Sequence, residues 1–197
     1  RLGGSILAQT WNISGGDVPD MDDVQLLRRF FSTLQQLLKE GRILAAHDRS
    51  DGGLATTLAE MAISGGRGSV ITLPQAADRH SQLAALFSEE PGMVLQIAES
   101  ELDNVLNAFA EAGLADSVSV IGDVSDDKNF SVSFGGETAL DTNIARIRSV
   151  WSENSVRMRA LRDNPACAEQ ERFNAADSND PGMNFRVTYN PDAIPNL

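Results

Sequence analysis

The sequence predicts an α/β (α+β) protein in which helices flank a mixed sheet. Segments whose apolar residues recur with helical spacing alternate along the chain with short apolar or alternating segments typical of strands. This alternation favours helices packed on a sheet over an all-helical or all-strand fold. With 197 residues and 42% hydrophobic content, the chain is long enough to bury a core of its own.

The first part of the chain contains helix patterns around one short strand. We predict a helix or turn, a loop, an amphipathic helix, a buried strand and a second helix at residues 2–11, 12–20, 22–41, 43–46 and 52–64. In the amphipathic helix, apolar residues recur three and four positions apart. Lys39 and Gly41 stand at its end, as the helix dipole and a glycine cap favour. A polar loop joins the strand to the second helix.

The rest of the chain continues the alternation and then loses it. Strand patterns occupy residues 69–73, 93–99, 117–124 and 130–134, and helix patterns occupy residues 80–90 and 101–114. A last long helix is predicted over 137–163, with six buried positions at Leu140, Ile144, Ile147, Trp151, Val156 and Leu161. After Asn164 the chain is rich in Asn, Asp and Pro and shows little periodicity. We therefore predict one α/β domain over 1–163 and a linker over 164–197.

Charge and cysteine content exclude several classes of function. A net charge of -12 and a pI near 4.5 argue against nucleic-acid binding, which needs a concentrated positive surface. Cys167 is the only cysteine, so the chain can form neither an intramolecular disulfide nor a cysteine-rich zinc site. Since no apolar run approaches about 18 residues, we expect no membrane span. The acidic balance and the single cysteine lead us to expect a cytoplasmic protein. The missing initiator Met leads us to expect a piece of a longer chain.

One stretch, AHDRSDGGL at residues 46–54, concentrates residues that can carry chemistry. The carboxylates of Asp48 and Asp51 are ligands of the kind Mg²⁺ takes, and a glycine-rich helix start favours a phosphate group. The same residues fit a second interpretation, in which Ser50 or Asp51 is the N-cap of the following helix and His47 is a core histidine with both nitrogens paired. Spacing alone leaves both interpretations open.

Two further groups are weaker candidates. Glu89 and Glu90 could supply a second metal carboxylate or simply form a charged helix end. The arginines near the end of the last predicted helix either complement its dipole or dock onto another domain; they are Arg157, Arg159 and Arg162. Cys167 has no neighbouring histidine in the sequence, which argues against a catalytic thiol. The residues by themselves assign no catalytic side chain.

The run HDRSDGGL resembles the HD-x-SDGGL signature of the aminoimidazole ribonucleotide synthetase superfamily, whose members use ATP to activate an oxygen as a phosphorylated intermediate. Selenophosphate synthetase, thiamine-monophosphate kinase and a hydrogenase maturation protein share that signature. Three more stretches are similar to one branch, the large single-chain phosphoribosylformylglycinamidine synthases. They are RLGGSILAQ at 1–9, VWSENSVRMRALRDNPACAEQE at 150–171 and SNDPGMN at 178–184.

This resemblance implies a fold and a reaction. The fold is that of the superfamily's C-terminal domain, and the reaction is the ATP- and glutamine-dependent conversion of formylglycinamide ribonucleotide to formylglycinamidine ribonucleotide in purine biosynthesis. It also implies that the chain is the last synthetase-like domain, with the linker leading to a glutaminase domain. The partners would be the remaining synthetase domains and that glutaminase, and the isolated chain is expected to be inactive.

The resemblance also implies roles within the HDRSDGGL run. It implies Mg²⁺ and ATP or ADP as cofactors, with Asp48 as a Mg²⁺ ligand and Ser50 as an ATP contact. No role is implied for His47 or Arg49, and Asp51 with the two glycines would shape the turn. Two alternatives stay open: a structural or regulatory module that holds a nucleotide without turning it over, or another member of the superfamily such as selenophosphate synthetase.

Overall fold

The computed structural model describes residues 1–177 and 186–190 of the chain, which divides into two compact units, Arg1–Ile147 and Arg148–Leu197. In the described residues the helices are α1 (Ile6–Thr10), α2 (Val24–Lys39), α3 (Gly53–Gly65), α4 (Arg79–Phe87), α5 (Leu102–Glu111), α6 (Ile144–Arg162) and α7 (Pro165–Ala176). The strands are β1 (Ala45–Asp48), β2 (Gly68–Leu73), β3 (Met93–Gln96), β4 (Gly122–Ser125), β5 (Asn129–Phe134) and β6 (Glu137–Asn143). Among these residues, no helix has both the length and the apolar character needed to cross a membrane.

The strands of the first unit form two sheets. Four of them make a mixed sheet in the order β4-β2-β5-β6, in which β2 and β5 are parallel and the two outer strands pair antiparallel. The other two, β1 and β3, form an antiparallel pair with Asp48 opposite Met93. A mixed sheet flanked by helices is therefore present, as the sequence predicts.

Two apolar clusters form the core of the first unit. One lies between α3 and the mixed sheet, where alternate residues of β2 and β5 point to the same face as strand geometry requires; its buried members are Leu58, Ala62, Ile71, Leu73, Phe130, Val132, Phe134 and Ile144. The other joins α2 to α5 through Leu37, Val105, Phe109 and Leu114. In this second cluster the rings of Phe30 and Phe109 are stacked with their centroids 6.1 Å apart. The first cluster thus places α3 against the mixed sheet.

The predicted elements before residue 135 are found with shifted ends, but the prediction of one helix over 137–163 is wrong. Its first part is the edge strand β6, paired with β5. The two residues between these strands, Gly135 and Gly136, have φ values of 54° and 91°. Positive φ at both central positions is what a type I′ two-residue hairpin turn requires, so the glycine pair marks a hairpin.

Several side chains that the helical pattern predicted to be buried are exposed in the structure. Ile144 and Val156 are buried as predicted, at 6% and 7% exposure, and Ile147 is partly buried. Leu140, Trp151 and Leu161 are instead exposed, at 44%, 57% and 84%. The helical period fails at Leu140 because that residue lies in the edge strand β6, whereas Trp151 and Leu161 occupy exposed positions of α6.

The segment after Asn164 begins with a helix rather than with irregular chain. The Asn164 side chain accepts a hydrogen bond from the backbone N–H of Ala166, and Pro165 fills the first helical position, where its missing N–H costs nothing. The domain boundary near 164 and the role of 164–197 as a linker stay predictions. Part of that segment, including the SNDPGMN stretch at 178–184, lies outside the described residues.

Candidate functional site

The HDRSDGGL run lies where β1 ends and α3 begins. The strand extends two residues beyond the predicted 43–46 and includes His47 and Asp48. Because successive side chains of a strand point to opposite faces, His47 faces inward while Asp48 faces outward. The Asp48 side chain is 71% exposed, and Ser50 is also exposed in the turn that follows. The structure thus presents both residues predicted to bind ligands at one strand end.

The turn between β1 and α3 depends on its glycines. Gly53 has a φ of 65°, and its N–H donates to the carbonyl of Ser50 over 2.9 Å. A Cβ atom on Gly53 would lie 2.7 Å from the backbone of Phe87, at the end of α4. A larger residue at position 53 would therefore push the turn away from α4.

The start of α3 is capped by a distant carboxylate. Its N-cap is Gly52, which makes no side-chain cap, so the interpretation of Ser50 or Asp51 as the N-cap is wrong. The Oε1 atom of Glu89 instead accepts hydrogen bonds from the backbone N–H groups of Gly52 and Ile6, each over 2.8 Å. One carboxylate therefore satisfies two helix starts, and the Gly52 N–H is already bonded.

The neighbouring acid, Glu90, is held in an ion pair. The guanidinium of Arg1 donates to Glu90 Oε1 over 2.6 Å. The hydrogen bond from Arg1 lowers the pKa of Glu90 from its ordinary value of 4.5 to about 2. Glu89 and Glu90 are both engaged within the protein, so neither is presented as a metal ligand.

His47 and Arg49, which had no predicted role, contact different neighbours of the strand end. His47 Nε2 lies 3.0 Å from Glu60 Oε2 on α3, and Nδ1 lies 2.8 Å from the carbonyl oxygen of Asp48. Arg49 donates through Nε to the carbonyl of Glu90 over 2.7 Å, and burial lowers the pKa of its guanidinium. Both residues therefore act within the structure, His47 as a half-buried histidine with both nitrogens paired.

The exposed carboxylate fits part of a magnesium site. Mg²⁺ prefers hard oxygen ligands and is usually held by one or two carboxylates together with water and phosphate oxygens. Asp48 offers one such carboxylate at a strand end. Within residues 1–177 and 186–190, no cluster of three or more His, Cys, Asp or Glu side chains is placed to hold a metal ion. The described residues therefore fit one ligand of a shared site rather than a complete one.

Comparison with known proteins defines the class of this domain. Residues 1–135 match the sequence model of the family described as AIR synthase related protein, C-terminal domain. The chain belongs to that family.

A curated relative makes the comparison more specific. Over 194 residues the chain is 40% identical to the phosphoribosylformylglycinamidine synthase of Schizosaccharomyces pombe strain 972, a match that covers 98% of this chain and 14% of the relative. The resemblance found in the sequence motifs is thereby confirmed across nearly the whole chain. The chain spans about one seventh of the length of that relative.

Solved structures share the fold. Phosphoribosylformylglycinamidine synthase II from Thermotoga maritima matches with a TM-score of 0.55 and 13% identity, covering 88% of this chain and 25% of that one. T. maritima PurL complexed with ATP matches with a TM-score of 0.54 and 15% identity, covering 68% of this chain and 24% of that one. The predicted fold class, including its likeness to the C-terminal domain of the superfamily, is confirmed.

Proposed function

We propose that this chain is the last synthetase-like domain of a phosphoribosylformylglycinamidine synthase. That enzyme is an ATP-dependent ligase and glutamine amidotransferase that converts formylglycinamide ribonucleotide to formylglycinamidine ribonucleotide in purine biosynthesis, in the cytoplasm. The observation that carries the proposal is the 40% identity to the S. pombe synthase along 98% of this chain. Because the match covers 14% of that relative, other synthetase domains and a glutaminase domain would supply the rest of the reaction.

Within that enzyme, we assign Asp48 as a Mg²⁺ ligand and Ser50 as a contact to ATP or ADP. The support is the exposure of both residues and their place at the end of β1, two positions apart. The metal would neutralise charge on the nucleotide phosphates. Asp48 would hold that metal through a carboxylate oxygen, and the Ser50 hydroxyl would donate to a nucleotide oxygen. Backbone binding of a phosphate by Gly52 is not included, since Glu89 accepts its N–H.

The assignment is tested by Asp48→Asn in the full-length synthase, with Asp51→Asn as the matched control in the same turn. An amide oxygen lacks the negative charge that favours a divalent cation, so we expect the loss of Mg²⁺ affinity to exceed the roughly 10–100-fold typical of a lost supporting contact. The measurements are the nucleotide carried through purification and the Mg²⁺ dependence of turnover. The control should match the wild type. Unchanged nucleotide content and turnover in the Asp48 variant would contradict the ligand assignment.

A second experiment on the full-length synthase distinguishes a nucleotide that reacts from one that stays bound. Labelled ATP is supplied during turnover, and the bound nucleotide is recovered and counted. Exchange of label at the rate of turnover would place Asp48 at the reacting ATP. Bound ADP that never exchanges would instead give Asp48 and Ser50 a structural nucleotide.

A further inference from the structure

The peptide unit between Asp48 and Arg49 is anchored at both of its polar groups. On one side, the carbonyl oxygen of Asp48 lies 2.8 Å from His47 Nδ1 and 3.1 Å from the hydroxyl of Thr57, a residue only 2% exposed. On the other side, the N–H of Arg49 donates to the carbonyl of Gly92 over 2.8 Å. A peptide plane held at both its oxygen and its nitrogen has little rotational freedom.

The anchoring on the carbonyl side comes from one face of α3. Thr57 and Glu60 are three residues apart, a spacing that makes side chains neighbours on a helix surface. Thr57 reaches the Asp48 carbonyl directly, whereas Glu60 reaches it through the imidazole of His47. The side chains of His47 and Glu60 are 28% and 31% exposed, so their contact is partly shielded from water. Helix α3 thereby fixes the orientation of the strand end.

The fixed peptide carries an exposed side chain, whose Oδ1 atom lies 3.4 Å from His47 Nδ1. The Asp48 side chain is 71% exposed and stands at the last residue of a four-residue strand paired with β3. A metal ligand of this kind loses mobility when it binds, and holding its backbone beforehand reduces that cost. The contacts from α3 are placed to do so.

We propose that His47 and Glu60 are positioning residues for Asp48. Glu60 sets the orientation of the His47 ring, and the ring holds the Asp48 carbonyl. The held peptide then sets the direction in which the Asp48 carboxylate projects from the strand. Removal of such supporting contacts typically weakens metal binding by about 10–100-fold. The proposal rests on the assignment of Asp48 as a metal ligand.

The experiment measures Mn²⁺ binding to the full-length synthase by electron paramagnetic resonance in the presence of ADP. The Mn²⁺ that the wild type binds and the Asp48→Asn variant does not bind identifies the site that contains Asp48. At that site we expect Glu60→Ala to bind Mn²⁺ about tenfold more weakly. Glu60→Gln, which keeps an oxygen acceptor toward His47, should recover most of the affinity. His47→Asn, whose amide can still donate to the Asp48 carbonyl but is too short to reach Glu60, should fall between them.

Two controls separate positioning from general stability. Glu111→Ala makes the same charge change at an exposed position at the end of α5 and should leave the Mn²⁺ affinity unchanged. Thermal unfolding is recorded for every variant. A Glu60→Ala protein with a lowered Tm but wild-type Mn²⁺ affinity below that temperature would overturn the proposal and leave the Asp48 assignment standing. Wild-type Mn²⁺ binding in Asp48→Asn would overturn both.

Discussion

Replacement of Gly53 by alanine should destabilise the chain strongly, because the added methyl group strains the backbone and also collides with a neighbouring segment. The left-handed backbone at a φ of 65° costs about 1–2 kcal/mol for a residue with a Cβ atom. That Cβ atom would also lie 2.7 Å from the Phe87 backbone, which cannot rotate away as a side chain could. Overpacking of this kind costs about 1–3 kcal/mol, so the expected loss is roughly 2–5 kcal/mol.

Two neighbouring glycines separate these costs. Gly66 has a φ of 60° but open space where its Cβ would stand, so Gly66→Ala should lose only the backbone cost of about 1–2 kcal/mol. Gly65 is helical without a positive φ, and its Cβ would meet only a side-chain atom of Arg67 at 4.0 Å. Gly65 is the last residue of α3, so Gly65→Ala should gain stability, by at most the mid-helix value of about 0.5–1 kcal/mol.

The assay is urea unfolding of the four proteins, monitored by far-UV circular dichroism. The unfolding free energies are compared with one common m-value, the slope of free energy against urea concentration. The expected order of stability is Gly65→Ala, wild type, Gly66→Ala and Gly53→Ala. If Gly53→Ala lost no more free energy of unfolding than Gly66→Ala, the close contact with Phe87 would contribute nothing. The account of this turn as packed against α4 would then be refuted.

Two further predictions concern the ion pair and the core. Since the pKa of Glu90 is lowered to about 2, its pairing with Arg1 stabilises the protein above the ordinary pKa of 4.5, and this stabilisation is lost as the pH falls from there toward 2. Glu90→Gln should therefore flatten the acid side of a plot of unfolding free energy against pH, and an unchanged slope in the variant would show that the pair does not form. Phe134 is 1% exposed within the cluster between α3 and the mixed sheet, so Phe134→Ala should cost about 3–5 kcal/mol in urea unfolding. Phe173, which is 65% exposed on α7, supplies the control, and a Phe173→Ala protein as unstable as Phe134→Ala would contradict the burial pattern.

The elements that the sequence predicted correctly are those whose local pattern and tertiary environment agree. In α2 the apolar spacing, the N-cap Asp23 and the terminal Lys39 all favour the same helix. The region after Phe134 shows the opposite case. Leu140 and Ile144 stand four residues apart and resemble a helix face, but the glycine pair before them makes a hairpin, and the edge of β5 offers hydrogen bonds to the returning strand.

The candidate site was partly predictable for a related reason. The positions of Asp48 and Ser50 at a strand end follow from local sequence, because a strand, a polar turn and a helix succeed one another there. The contacts that build the site join residues far apart in sequence, such as Glu89 with Gly52 and Arg49 with Glu90. Sequence spacing carries no information about such pairs. The link from Glu60 to His47 spans 13 residues and depends on how α3 packs against β1.

The Glu89 carboxylate has a practical consequence for anyone who shortens or fuses this domain. It holds the first residue of α1 and the N-cap of α3 at the same time, so the two helix starts share one acceptor. Deleting residues 1–10 would remove one donor and release the segment after α4 from its link to α1. Shortened versions of the domain should keep α1 and its N-cap Ser5, even though both stand far before the Asp48 strand end in the chain.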